Sequence, residues 1–103
     1  MSYKLRFVQQ FRQENAKEYL ELEKLFVDLE KKAPGFPKGK RYLPVTGREP
    51  SNTLVWESEF ETLKAAQDAL TLIISDTRHE ELFKKQAPYI LGTYTEIYKP
   101  YDA

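Results

Sequence analysis

The sequence predicts an α+β fold with the element order β-α-β-β-α-β, on three observations. Residues 3–10, 53–60 and 92–99 alternate in polarity with the two-residue period of a half-buried strand. Residues 16–32 and 63–74 carry apolar side chains at helical spacing, each run preceded by a residue suited to capping a helix. Turn-forming residues from Gly47 to Asn52 join a short proline-bearing segment to the second long strand, as in a hairpin. A chain of 103 residues holds one such domain and no second core.

In the first strand Tyr3, Leu5 and Phe7 lie opposite Lys4, Arg6 and Val8. Asn15 and Glu18 form a capping pair for the first helix, whose inward stripe is Tyr19, Leu22, Leu25, Phe26 and Leu29. Its other face, with Glu18, Glu21, Lys24, Asp28 and Lys31, is spaced for exposed ion pairs and reads as a solvated surface. Ala33-Pro34-Gly35 ends this helix. Residues 40–46 form a second strand, placed at a sheet edge because Pro44 cannot donate to a ladder.

The third strand sets Leu54, Trp56, Ser58 and Phe60 against Val55, Glu57 and Glu59. Thr62 caps the next helix, with Leu63, Ala66, Leu70, Ile73 and Ile74 inward, and Ala65, Ala66 and Ala69 small enough for close approach to a sheet. A second capping pair, Thr77 and Glu80, starts a short helix over residues 78–86, with Leu82 and Phe83 inward. Pro88 stops it. The last strand sets Tyr94, Glu96 and Tyr98 against Thr93, Thr95 and Ile97.

This order is the split βαβ arrangement of ferredoxin-like folds, a four-stranded antiparallel sheet ordered 4-1-3-2 with both main helices on one face. Leu5, Phe7, Leu54, Trp56, Phe60 and Ile97 then face the helices. The outer face holds Arg6, Val8, Gln10, Val55, Glu57, Glu59, Tyr94, Glu96 and Tyr98. That mixture of aromatic, aliphatic and charged groups suits a homodimer in which each sheet covers its twin, with a monomer and a solvated sheet as the alternative. A cavity enclosed there would bind a small organic molecule. In it Arg6 holds an anionic or enol oxygen and Glu57 is the general base, while Tyr94, Glu96, Tyr98 and Gln10 contact the substrate. The same side chains also read as an ion-pair network that fixes dimer register, or as a solvated face.

Composition removes several function classes. Sixteen basic residues balance 16 acidic ones, which leaves no electrostatic footprint for nucleic acid or an anionic membrane. There is no cysteine for a disulfide, a thiolate metal site or a thiol nucleophile. Glu57, Glu59 and Glu96 without clustered Asp, His or Cys give no metal-ligand set, and neither a phosphate loop nor a G-x-S-x-G elbow occurs. Residues 35–40 are expected as a rim loop at the cavity mouth, where Lys38, Lys40 and Arg41 attract an anionic ligand. No run of 18 apolar residues and no signal-like stretch appears, so the expected compartment is the cytoplasm. No cofactor is expected.

Three segments carry a family resemblance: the opening strand over residues 5–10, the block TLVWESEFETLKAAQDAL at 53–70, and HEELFKKQAPYILGTYTEIYK at 79–99. Together they resemble the dimeric α/β-barrel superfamily, in particular its antibiotic-biosynthesis-monooxygenase and NIPSNAP-like branches. The resemblance implies a dimeric α/β barrel and an activity such as cofactor-independent monooxygenation or isomerisation, or else a non-catalytic dimeric module. Haem-degrading members pair a strand asparagine and a tryptophan with an axial histidine on the helix after the third strand. Here Trp56 is present, but Gln9 and Gln10 stand on the first strand and the single histidine, His79, falls beyond that helix. The pattern departs from haem degradation, and His79 is expected as a surface residue.

Overall fold

A computed structural model describes residues 2–102. Its main elements are β1 (Tyr3–Phe11), α1 (Ala16–Lys32), β2 (Lys40–Tyr42), β3 (Thr53–Phe60), α2 (Leu63–Ser75), α3 (Thr77–Gln86) and β4 (Ile90–Tyr98). Short 3-10 turns at Gln13–Asn15 and Ala87–Tyr89 lead into α1 and β4. The strands pair antiparallel in the order β2-β3-β1-β4, the split βαβ topology expected. Register sets Phe7 opposite Trp56, and Arg6 between Glu57 and Glu96.

The element ends differ where local chemistry decides them. Strand β2 stops at Tyr42, because Pro44 supplies no N–H, and Val45 in the connection that follows is fully exposed. Thr62 caps α2 as expected, its hydroxyl accepting from the Ala65 N–H at 3.0 Å. Helix α3 begins at Thr77, capped by Asp76 rather than by a Thr77–Glu80 pair. The Asp76 carboxylate accepts from the backbone N–H groups of Arg78 (2.8 Å) and His79 (3.1 Å). Asn15 caps nothing with its side chain; its backbone conformation is not extended, and its amide donates to Glu18 at 3.1 Å.

The core lies between sheet and helices. Leu5 and Trp56 pack with Ala33, Phe36, Ala69 and Ile73, flanked by Phe7, Leu29, Phe60, Leu70 and Ile97. A second cluster joins Phe11, Tyr19 and Leu54, with the Phe11 and Tyr19 rings stacked at 4.5 Å. Ala66 is fully buried and Ala69 nearly so, the close helix approach expected of the alanines. On α1 the buried residues are Tyr19, Phe26 and Glu30, while Leu25 is 40% exposed. The buried face follows the 19-23-26-30 row, rotated from the predicted stripe, because two carboxylates on that row find a partner in Arg41.

On the outer face Val8 and Val55 are buried, at 2% and 7% exposure. Tyr94 Oη donates to Glu49 at 2.6 Å, and Tyr94 aligns with Val8, which aligns with Val55. The β2–β3 connection thus folds across that end of the outer face, a part of the sheet that the sequence reading left for a twin.

Candidate functional site

A cavity of about 300 Å³ lies between the sheet and the three helices. Its apolar wall comes from Phe7 on β1, Leu54 and Trp56 on β3, Phe26 on α1, Ile73 on α2, Phe83 on α3, and Phe36 in the loop before β2. Its polar groups are Gln9, Glu23, Glu30, Arg41, His79, Glu80, Gln86, Thr93 and Thr95. A cavity of this size, with a largely aromatic apolar wall and convergent polar groups, fits a small-molecule pocket.

The polar groups form two linked sets. Arg41 bridges α1 to the sheet: its Nε donates to Glu23 at 2.7 Å, and its two terminal nitrogens grip both oxygens of Glu30. Glu30 is 7% exposed and also accepts from the Gly39 N–H at 3.1 Å and from Trp56 Nε1 at 3.4 Å. Burial alone would lower the Arg41 pKa, but the Glu30 hydrogen bonds and the Glu23 charge raise it, so the guanidinium stays charged. The second set holds Gln86, 1% exposed, which donates to Glu23 at 2.9 Å and to the Tyr19 carbonyl at 3.3 Å. Tyr19 in turn donates from Oη to Gln9 at 2.6 Å, and burial first, then the Glu23 charge, raises its pKa, so it remains a neutral phenol.

His79 is a correction to the sequence reading. It lines the cavity, half-buried, with its ring edge-on to Phe26 at 5.0 Å, because α3 folds back against α1. Burial lowers its pKa, opposed by the charges of Asp76 and Glu30. Trp56, Gln9 and His79, which sequence separation set apart, thus stand around one cavity. Arg41 is a second correction: it is committed to two carboxylates and is no free anion attractor at a loop rim.

The six residues expected as a site lie on the outer face. Arg6 Nε donates to Glu57 at 2.7 Å, and its Nη1 to Glu96 at 2.8 Å and Tyr98 Oη at 3.2 Å. Its guanidinium also stands over the Tyr98 ring at 5.4 Å, and Lys4 approaches Glu57 at 3.7 Å. Two cations and two carboxylates leave this cluster electrically neutral. Tyr94 is held apart by Glu49, whose hydrogen bond raises the phenol pKa, and Gln10 aligns with Thr53 and Gly92 toward the other end of the sheet. Four of the six therefore converge and two do not.

Glu23, Glu30 and Gln86 were not expected at a site, and Arg41 was expected as a rim cation instead of as the partner of the two carboxylates. A signal for the first two was present: Tyr19, Glu23, Phe26 and Glu30 recur at the 4-3-4 spacing of a single helical stripe.

Asp76 anchors the helix that carries His79. A hydrogen bond from the Arg78 side chain, against burial and with the two backbone N–H groups, holds its carboxyl at about 2, against 3.8 ordinarily. The unfolded chain therefore takes up this proton first. The stabilisation is complete above the ordinary value and is lost as pH falls through about 2. Urea unfolding is expected to show wild type losing more stability than Asp76→Asn across this window, since asparagine still caps the helix but does not titrate. Parallel pH profiles for the two proteins would contradict the assignment.

No family model matches the chain, and no curated protein does. Solved structures match it over nearly its whole length. A NIPSNAP family protein from Agrobacterium tumefaciens superposes with a TM-score of 0.75 at 16% identity, covering 99% of this chain and 95% of its own. An uncharacterized NIPSNAP-like domain protein from Burkholderia xenovorans gives 0.74 at 16% identity, over 97% of this chain and 85% of its own. An antibiotic biosynthesis monooxygenase gives 0.69 at 12% identity, over 97% of this chain and 99% of its own. The fold of this chain is accordingly the α+β ferredoxin-like fold shared by NIPSNAP family and antibiotic-biosynthesis-monooxygenase proteins, in line with the resemblance seen in its sequence.

Proposed function

We propose that this protein binds a small organic molecule in the cavity between sheet and helices, and that two copies associate through their outer sheet faces. The observation that carries the first part is the cavity itself: about 300 Å³, walled by Phe7, Phe26, Phe36, Trp56 and Phe83, with Gln9 and His79 facing it. The likeness to an antibiotic biosynthesis monooxygenase supports monooxygenation as its reaction class; that no cofactor is needed, and isomerisation as the other reaction, are what the resemblance in its sequence implies.

The test uses the single tryptophan, Trp56, as a reporter inside the cavity. Titration with anilinonaphthalene sulfonate is expected to quench Trp56 emission to saturation at one probe per chain. Ile73→Phe, which fills the cavity, should weaken binding about tenfold. Glu57→Gln, on the opposite face, should leave it unchanged. An absence of quenching, or equal loss in both variants, would remove the cavity from the account.

The association is supported by the outer face. Tyr98 remains about half exposed there beside a charge-neutral Arg6–Glu57–Glu96–Lys4 cluster, which fits a twin without net repulsion. In this reading Arg6 and Glu57 fix the register between copies instead of acting on substrate. A second reading, the dimer as a non-catalytic interaction module, is favoured by the same internal pairing of Arg6. Sedimentation equilibrium is expected to give a dimer whose dissociation constant rises about tenfold or more on Tyr98→Ala. A monomer for the wild type would end this part of the proposal.

A further inference from the structure

Each charged group around the cavity has a partner except one ionisable side chain. Glu23 and Glu30 are held by Arg41, and Glu80 lies 3.6 Å from Lys84. Asp76, the cap of its own helix, and Glu30 on α1 act on His79 through their charges, and Glu23 on α1, Arg41 on β2 and Glu80 on α3 share the cavity with it. No hydrogen bond reaches either ring nitrogen from the described residues; the residue's one side-chain-directed bond uses its backbone N–H. Gln9, which also lines the cavity, has its Oε1 occupied by the Tyr19 hydroxyl, and its amide N–H groups meet no acceptor among the described residues. An unengaged basic nitrogen and an unengaged amide donor thus share an aromatic-walled cavity.

We infer that His79 is the proton acceptor of this cavity for a ligand with an enolisable carbonyl group, and that the Gln9 amide holds the carbonyl oxygen. The inference rests on the reading of the cavity as a ligand site. A proton leaves the carbon next to the carbonyl and binds the free imidazole nitrogen. The C–H electron pair forms the enolate C=C, and the carbonyl π pair moves onto the oxygen, which accepts from Gln9. Return of the proton from the imidazolium to the same or the conjugated carbon regenerates the histidine. The step is redox-neutral and needs no co-reactant. Burial keeps the imidazole neutral near pH 7, as a base must be.

A single histidine makes the test specific. Diethyl pyrocarbonate acylates only neutral, accessible imidazole, so its rate is expected to rise with pH through a midpoint below the ordinary value of 6.5. Occupation of the cavity by anilinonaphthalene sulfonate, followed separately through Trp56, should suppress that rate about tenfold or more. An unreactive His79, or one not protected while the probe is bound, overturns the inference and leaves the cavity reading intact. A probe that does not bind overturns both.

The chemistry is read with β-tetralone in heavy water. Wild type is expected to speed deuterium entry next to the carbonyl about a hundredfold or more over buffer, and His79→Gln to lose that acceleration. Gln9→Leu should lower the exchange rate constant at saturating β-tetralone by more than it weakens the Trp56 binding curve. β-Tetralone that quenches Trp56 but exchanges no faster in wild type than in His79→Gln overturns the role of His79.

Discussion

Replacing Arg41 by methionine is expected to lower the free energy of unfolding by about 3–5 kcal/mol, the range found when one partner of a buried ion pair is removed. The guanidinium is the only cation within ion-pair distance of Glu23 and Glu30 among the described residues, and both carboxylates are nearly buried. Methionine preserves most of the volume but leaves two negative charges facing each other in a water-poor site. Lysine should rescue little, because it is a point charge that cannot satisfy Glu23 and both oxygens of Glu30 at once. Adding Glu23→Gln and Glu30→Gln to Arg41→Met should restore much of the loss by removing the unpaired charges. Urea unfolding checks this. A change below about 1 kcal/mol would mean that the triad behaves as an exposed pair.

Gly39→Ala is expected to destabilise by about 1–3 kcal/mol and to disturb the cavity as well. A Cβ at this position would overlap the indole of Trp56 at Cε2 and Nε1. The indole cannot simply swing away: Phe7 packs against it at 5.1 Å, and its Nε1 is directed at Glu30. The backbone N–H of Gly39 is itself bonded to Glu30, so a shift of the loop also breaks a contact of the Arg41 triad. The expected results are a lower urea midpoint, a shifted Trp56 emission maximum and weaker probe binding. Wild-type values for all three would show that the loop yields without cost.

The fold was legible because its signals are local. The alternation in residues 53–60 set both faces of β3, and the alanines of α2 announced a close approach to the sheet that Ala66 and Ala69 make. The sheet order followed from topology rules that need no side-chain detail. The candidate site was much less legible. Arg6, Glu57 and Glu96 were brought together correctly because strand register is a sequence-level inference, yet this placed attention on the outer face.

The cavity depends on how α1 and α3 settle against the sheet, which periodicity alone does not determine. Glu23 and Glu30 have no local partner in the sequence; Arg41, eleven residues beyond Glu30 and across a loop, supplies it. His79 could be read as a surface residue because nothing local shows that Asp76 turns the chain and lays α3 on α1. Long-range pairing between charged groups is the information that a single sequence least discloses.

The function proposed for this protein requires the space between sheet and helices to receive a ligand. Its most direct test is nuclear Overhauser contact between bound anilinonaphthalene sulfonate and the ring protons of Trp56 and His79, two residues present once each in the chain. Cross-peaks from the probe to both rings are expected, and their loss in Ile73→Phe. Cross-peaks only to Tyr94 or Tyr98, on the outer face of the sheet, would contradict it.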